Sequence, residues 1–354
     1  MRGAMTPTRP EGCITALVTP MTSRGEIDKE GLHRLIGAQG LAGVDGIVAV
    51  GTTGESPTLA PEERFAIIQR TCEWTREGIT VIAGTGSNAT EEAVRGTRAA
   101  WEAGSTHALL VDPYYNGPSS PEIRREYYEP VARAVPDVGL IPYVIPSRTG
   151  TRLEPPDLAL LRDACPNVVA VKEATGSDDY AREVRRLVGD DFAILSGDDA
   201  RTAGLIKDPT VRAQGVVSVL SNVFPRTLAA YVRSLRGGGS IPGSLARRIR
   251  ALTPLLSCVT VETHEQTPKG VVRVRARNPV PVKAIMNILG MPAGPCRPPL
   301  GRLTQAALAS VLDALRRAHR ECPELFEEIE SGFDVTVAER LRDPQHWEAL
   351  AYVD

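Results

Sequence analysis

Eight short apolar runs, most of them followed by a helical stretch, set the tightest limit on how this chain folds. They cover residues 14–18, 46–50, 81–83, 108–111, 139–144, 168–171, 192–195 and 215–219. Each is too short for a buried helix, and the run 168–171 is rich in β-branched residues, so each reads as a buried strand. Strands that alternate with helices are parallel strands joined by crossovers. Eight such units within about 230 residues match a closed (β/α)8 barrel. An open doubly wound sheet is the alternative. It would usually carry a Gly-rich nucleotide loop after the first strand, and Thr19-Pro20-Met21-Thr22 is not one.

The fold class expected is therefore α/β, a (β/α)8 TIM barrel with a C-terminal, mainly helical appendage. The barrel takes residues 12–235. Residues 236–320 form a helical region in which 259–264 and 271–275 alternate with period two, a hairpin-like insertion near 259–275. Residues 321–354 are an extra tail with Leu325, Phe326, Ile329, Phe333, Trp347 and Leu350 among charged residues, suited to a surface or a subunit interface. Within the barrel, Pro61 with Glu62 and Glu63 reads as a helix start, and Asn88 with Glu91 as an N-cap and its partner.

A formal charge of -2 gives no basic field for nucleic acid or a membrane surface. No apolar run is long enough to span a bilayer, and residues 1–11 are polar and Pro-rich. The six cysteines are far apart with no C-x-x-C, and the five histidines are scattered. Neither a disulfide framework nor a metal site is expected, and a cytoplasmic location fits best.

Barrel active sites lie at the C-terminal ends of the strands. Lys172 ends the sixth run. In a regular strand residues 168, 170 and 172 share a face, so Lys172 points the way of two small apolar side chains. Poor solvation lowers its pKa, and a free amine can form a Schiff base with a ketone. The plain reading is a strand-end lysine paired with Glu173. Thr52 and Thr53 follow the second run in a Gly-flanked loop able to bind a carboxylate. Tyr114 and Tyr115 follow the fourth, and Tyr143 lies near the end of the fifth. Arg148 suits a carboxylate substrate. Asp198 and Asp199 suggest a metal, but an acidic helix start after Ser196-Gly197 explains them at least as well. An amine, two hydroxyls, candidate phenols and an arginine around one barrel mouth suit Schiff-base chemistry on a 2-oxo acid.

Gly51-Thr52-Thr53-Gly54-Glu55-Ser56, Tyr114-Tyr115-Asn116, Tyr143 with Pro146-Ser147-Arg148-Thr149-Gly150, Val171-Lys172-Glu173-Ala174-Thr175-Gly176 and Leu195-Ser196-Gly197-Asp198-Asp199-Ala200 occur in this order. Together they resemble the dihydrodipicolinate synthase / N-acetylneuraminate lyase family of class I aldolases. Pro281-Val282-Lys283-Ala284 extends the match, which covers roughly residues 13–318. The resemblance implies that Lys172 forms the Schiff base with pyruvate, so no cofactor is needed. It implies that Thr53, Gly197 and the backbone near Val217 surround pyruvate. Tyr143 relays protons, Thr52 links it to a Tyr115 reaching in from a neighbouring subunit, and Arg148 binds the second substrate's carboxylate. The double threonine and Ser147-Arg148-Thr149-Gly150 resemble the branch that condenses pyruvate with L-aspartate 4-semialdehyde in lysine biosynthesis. A homo-oligomer, dimer or tetramer, is implied.

Three departures matter. Val144 stands where that branch commonly has asparagine. The 259–275 insertion and the 321–354 tail are not ordinary family features. Ser56, Leu59, Asn88, Glu92 and Tyr114 match positions that hold regulatory lysine, but Pro61 and Arg64 replace histidines found in some members. An added cation opposes a cationic effector, so weak or absent lysine inhibition is expected. Two rivals stay open: another pyruvate aldolase, which would keep Lys172 without needing Arg148, and a non-catalytic barrel that binds a 2-oxo acid.

Overall fold

The structure, a computed structural model, describes residues 7–353. The first six residues of the polar leading segment and the last residue of the tail lie outside the described residues. Strands β1 (Gly12–Ala16), β2 (Gly46–Ala49), β3 (Thr80–Gly84), β4 (His107–Val111), β5 (Gly139–Val144), β6 (Ala170–Glu173), β7 (Ala193–Ser196) and β8 (Gly215–Ser218) are all parallel and close into a barrel, with β1 bonded to both β2 and β8. The expected fold class holds. Boundaries moved where an apolar run and hydrogen-bond pairing disagree: β1 starts two residues before the first run, and β6 starts two residues into the sixth.

Two apolar layers hold the barrel. Its interior is filled by Ile14, Val48, Ile82, Leu109, Ile141 and Leu195 among others, and its outer wall packs on the crossover helices. Each such side chain contributes about 1.5–3 kcal/mol. The Pro61 start is found, opening the helix Pro61–Trp74. The Asn88 cap is not. The helix runs Thr90–Glu102, and the Asn88 side-chain oxygen instead accepts from Tyr114 N at 2.7 Å. A short polar side chain can serve a backbone donor of a neighbouring loop as well as its own helix.

β9 (Thr260–Thr267) and β10 (Gly270–Arg277) form an antiparallel hairpin with Pro268 and Lys269 in the turn. Its side chains are mostly exposed, with Val261 and Ala276 touching the core. The helices Val280–Leu289 and Gln305–Glu321 pack on the barrel. The tail folds back on its own chain. Leu325, Phe326, Ile329 and Phe333 are buried there, with Phe326 edge-on to Phe224 at 5.3 Å. Among the described residues no helix is long and apolar enough to cross a membrane.

Candidate active site

The site begins with a defect in strand pairing. Leu140 pairs with Val168, yet Tyr143 pairs with Lys172. Four steps along the chain of β6 therefore match three along β5, a bulge. The extra residue breaks the two-residue period. Val168 packs in the outer layer, whereas Val169 and Ala170 fill the barrel interior. So Val168 does not share the face of Lys172, as regular alternation predicted; Ala170 does.

Below the mouth the lysine is sealed in. Lys172 is 5% exposed, and its Nζ lies 4.0 Å from the centre of the Tyr143 ring, its cross-strand neighbour. Burial, then the Arg148 charge, lower its pKa to about 7, against a smaller opposing pull from Asp199. The ion pair with Glu173 does not form. Glu173 points to the other face, where it accepts from Thr175 N at 2.7 Å and from Arg201 at 3.2 Å. Among the described residues no carboxylate lies within ion-pair distance of Lys172 Nζ. Gly197 is required beside it: a Cβ there would sit 2.7 Å from Ala174 Cβ and 3.3 Å from Lys172 Cε.

Tyr143 is buried, which raises its pKa, while Arg148 and a hydrogen bond with Thr52 pull the other way. Thr52 and Thr53 sit on a strained turn. Val50, just before them, has φ 58, a rare conformation for a β-branched residue. It costs on the order of 1–3 kcal/mol and is held by packing. A Cβ on Gly84 would meet Val50 O at 2.2 Å, so only glycine fits there. Glu55 locks the far side of the turn. It is fully buried and bound to Lys283 Nζ at 2.7 Å and to Arg297 N at 2.8 Å.

A cavity of about 500 Å³ contains Thr52, Thr53, Tyr143, Arg148, Lys172 and Gly197 in its wall. Two expected residues do not line this cavity within one chain. Val217 is inside the barrel, below the cavity, and Val219 takes its place in the wall. Tyr115 is 94% exposed with φ 77, away from Tyr143. Asp199 is not an exposed helix-start acid. It is half-buried, and accepts from Val219 N and Leu220 N, each at 2.9 Å. The helix there begins only at Thr202, so the acid serves the end of β8 instead.

Sequence reasoning missed the contribution of the hairpin base. Asn278 Nδ2 donates to Thr53 Oγ1 at 3.0 Å, and Asn278 Oδ1 is buried without a partner. Arg275 and Arg277 also stand in the cavity wall. Their distance from Lys172 in sequence left no signal beyond the Asn-Pro pair that ends the alternating run.

A second cavity of about 300 Å³ is lined by Ser56, Leu59, Asn88, Glu92 and Tyr114, with Arg64. Thr52 and Tyr143 border both cavities. Among the described residues no group of three His, Cys, Asp or Glu side chains is placed to hold a metal ion.

A buried amine that is about half uncharged at neutral pH, at the C-terminal mouth of a parallel barrel, has the layout of a Schiff-base-forming lyase. The chain belongs to the dihydrodipicolinate synthetase family, whose model matches residues 9–318. It is 40% identical over 301 residues to a 4-hydroxy-tetrahydrodipicolinate synthase of Syntrophus aciditrophicus, covering 84% of this chain and 94% of that one. It is similar to the solved structure of the 4-hydroxy-tetrahydrodipicolinate synthase from Methylacidiphilum fumariolicum SolV, with TM-score 0.78 and 35% identity over 90% and 99% of the chains. It also resembles the lysine-bound structure of the enzyme from Cyanidioschyzon merolae, with TM-score 0.77 and 33% identity over 87% and 98%.

Proposed function

We propose that this chain is a lyase that condenses pyruvate with L-aspartate 4-semialdehyde to 4-hydroxy-tetrahydrodipicolinate, in lysine biosynthesis. Lys172 attacks the pyruvate ketone, and loss of water leaves an imine. The protonated imine withdraws electrons, so a methyl proton leaves and an enamine forms. The enamine carbon attacks the aldehyde carbon. The amine of the adduct then displaces Lys172 and closes the ring. One water is released overall, and no cofactor is needed. Tyr143, bonded to Thr52, moves the protons. Thr53 and Gly197 bound the pyruvate, and Arg148 takes the semialdehyde carboxylate. The backbone near Val217 helps hold pyruvate from beneath. The unpartnered Asn278 Oδ1 offers an acceptor to the substrates.

The observation that carries this reading is the buried Lys172 amine beside Tyr143, with no carboxylate among the described residues at ion-pair distance. The proton chain is incomplete within one chain. Exposed Tyr115, held at φ 77, suits a phenol presented to a second copy, so at least a dimer is proposed. Small water-soluble substrates suit a cytoplasmic enzyme.

The test is turnover of both substrates with Lys172→Ala as control. Turnover lost in the variant supports the reading. A borohydride-trapped pyruvate adduct on Lys172 without turnover keeps the Schiff base and points to another aldehyde. Neither result leaves a 2-oxo-acid-binding barrel.

The second cavity is proposed as a degenerate lysine site. Arg64 adds a cation to the wall of this cavity, which opposes entry of a cationic effector. Lysine is expected to inhibit weakly or not at all, and Arg64→His to strengthen inhibition. A lysine titration of both proteins checks this, and strong inhibition of the unaltered enzyme rejects it.

A further inference from the structure

The insertion between the helices Gly243–Leu256 and Val280–Leu289 returns to the barrel at the mouth of the Lys172 cavity. The return is laced. Arg277 Nη1 donates to Ser147 O at 3.0 Å, and Arg148 Nη2 donates to Asn278 O at 2.9 Å. The last residues of β10 and the turn Pro146–Thr149 thereby carry their guanidinium groups to one rim.

Charge at this rim is unbalanced. Arg201, on the other side of the mouth, is neutralised by Glu173 and Asp178. Among the described residues Arg275 has only Glu262 at 3.8 Å, and Glu262 is already held by Arg273 Nε and Nη2 at 2.8 and 2.7 Å. Among the described residues neither Arg148 nor Arg277 has a carboxylate partner. Arg275 and Arg277 are both close enough to Arg148 to lower its pKa, after the larger effect of desolvation. Like charges crowded without a counter-ion store repulsion that a bound anion relieves. Guanidinium groups also match a carboxylate's two oxygens in geometry.

We infer that the hairpin is a substrate-selecting arm: Arg277, with Arg275 behind it, joins Arg148 in binding the carboxylate of the acceptor aldehyde. The inference rests on the condensation proposed above and extends it, because the second guanidinium comes from an element outside the barrel. Pyruvate lies deeper, against Thr53 and Lys172, so Arg277 acts on the acceptor alone. Its effect belongs in the KM for the aldehyde, not in the formation of the pyruvate imine.

Arg277→Gln keeps a donor for Ser147 O but removes the charge. The variant is expected to raise the KM for L-aspartate 4-semialdehyde about tenfold, the scale of a lost charge-assisted hydrogen bond. The KM for pyruvate and the borohydride-trapped adduct should stay near those of the unaltered enzyme. Arg277→Lys should recover part of the loss. If Gln behaves like Arg, the residue only fastens the hairpin and the inference fails. Equal rises in both KM values also overturn it.

A second measurement does not depend on the identity of the acceptor. Through the proposed imine and enamine, Lys172 should exchange the methyl protons of pyruvate with solvent, and succinate bound at the mouth should slow that exchange. Arg277→Gln should need about tenfold more succinate for the same effect. Equal sensitivity in the two proteins rejects the arm even where the semialdehyde proves to be the wrong substrate. Loss of exchange in the unaltered enzyme would reject the condensation and the inference with it.

Discussion

At the scale of single residues, Lys172 is defined by what surrounds it. A lysine at a strand end is ordinarily solvated and charged. Here the bulge in β6 turns it inward beside Tyr143, and burial brings its pKa to about 7. Below that pH the ammonium cannot attack a ketone; above it the amine is free. Thus kcat/KM for pyruvate should rise with pH, close to tenfold per unit well below about 7, and level off above it. Removing Arg148's charge should move the midpoint up, since that charge helps to depress it. Asp199→Asn should move it down, because Asp199 pulls the other way. A pH profile with no inflection between about 6 and 8 would show that the amine is not the titrating group.

At the scale of elements, the threonine turn and the helix Val280–Leu289 act as one unit. Lys283 and Glu55 are 1% and 0% exposed in their side chains, and Lys283 also donates to Thr19 O at 3.1 Å and Pro295 O at 2.8 Å. Such a pair gives little net stability over an apolar pair, but removing one partner leaves a buried charge. Lys283→Met should cost about 3–5 kcal/mol, read by denaturant unfolding. Because Glu55 ends the turn that carries Thr52 and Thr53, the folded fraction of the variant should also lose kcat. A loss of stability with kcat intact would show that the turn holds its shape without the pair.

Across the whole molecule, the two additions to the barrel contribute differently. The tail buries Leu325, Phe326, Ile329 and Phe333 and joins the barrel-side core through Phe224. The hairpin is mostly exposed and meets the core through few side chains. Phe326→Ala should cost about 3–5 kcal/mol, as for other buried aromatic truncations. Replacing residues 261–276 by a short turn should change stability far less while weakening use of the aldehyde. Thermal melts of both variants check the contrast. A hairpin deletion that melts as low as the Phe326 variant would show that the arm is structural.

The sequence alone determined the barrel, because eight buried strands must be near-continuous apolar runs and the crossovers between them must be amphipathic. It also marked Lys172, Tyr143, Thr52, Thr53 and Arg148, since these lie at or just after strand ends, where a parallel barrel builds its mouth, while Gly197 came from the family resemblance. The family followed from those motifs and their order. Tertiary structure decided the rest. Which face Val168 takes depends on a bulge, and a bulge is fixed by pairing with β5 rather than by the residues of β6. Asn278 and Arg277 reach the mouth through contacts with Thr53 and Ser147, more than a hundred residues away in sequence. Periodicity reports only what neighbours along the chain share. The charge left unpaired at the rim depends on where distant arginines come to rest, and that is settled only when the chain has closed on itself.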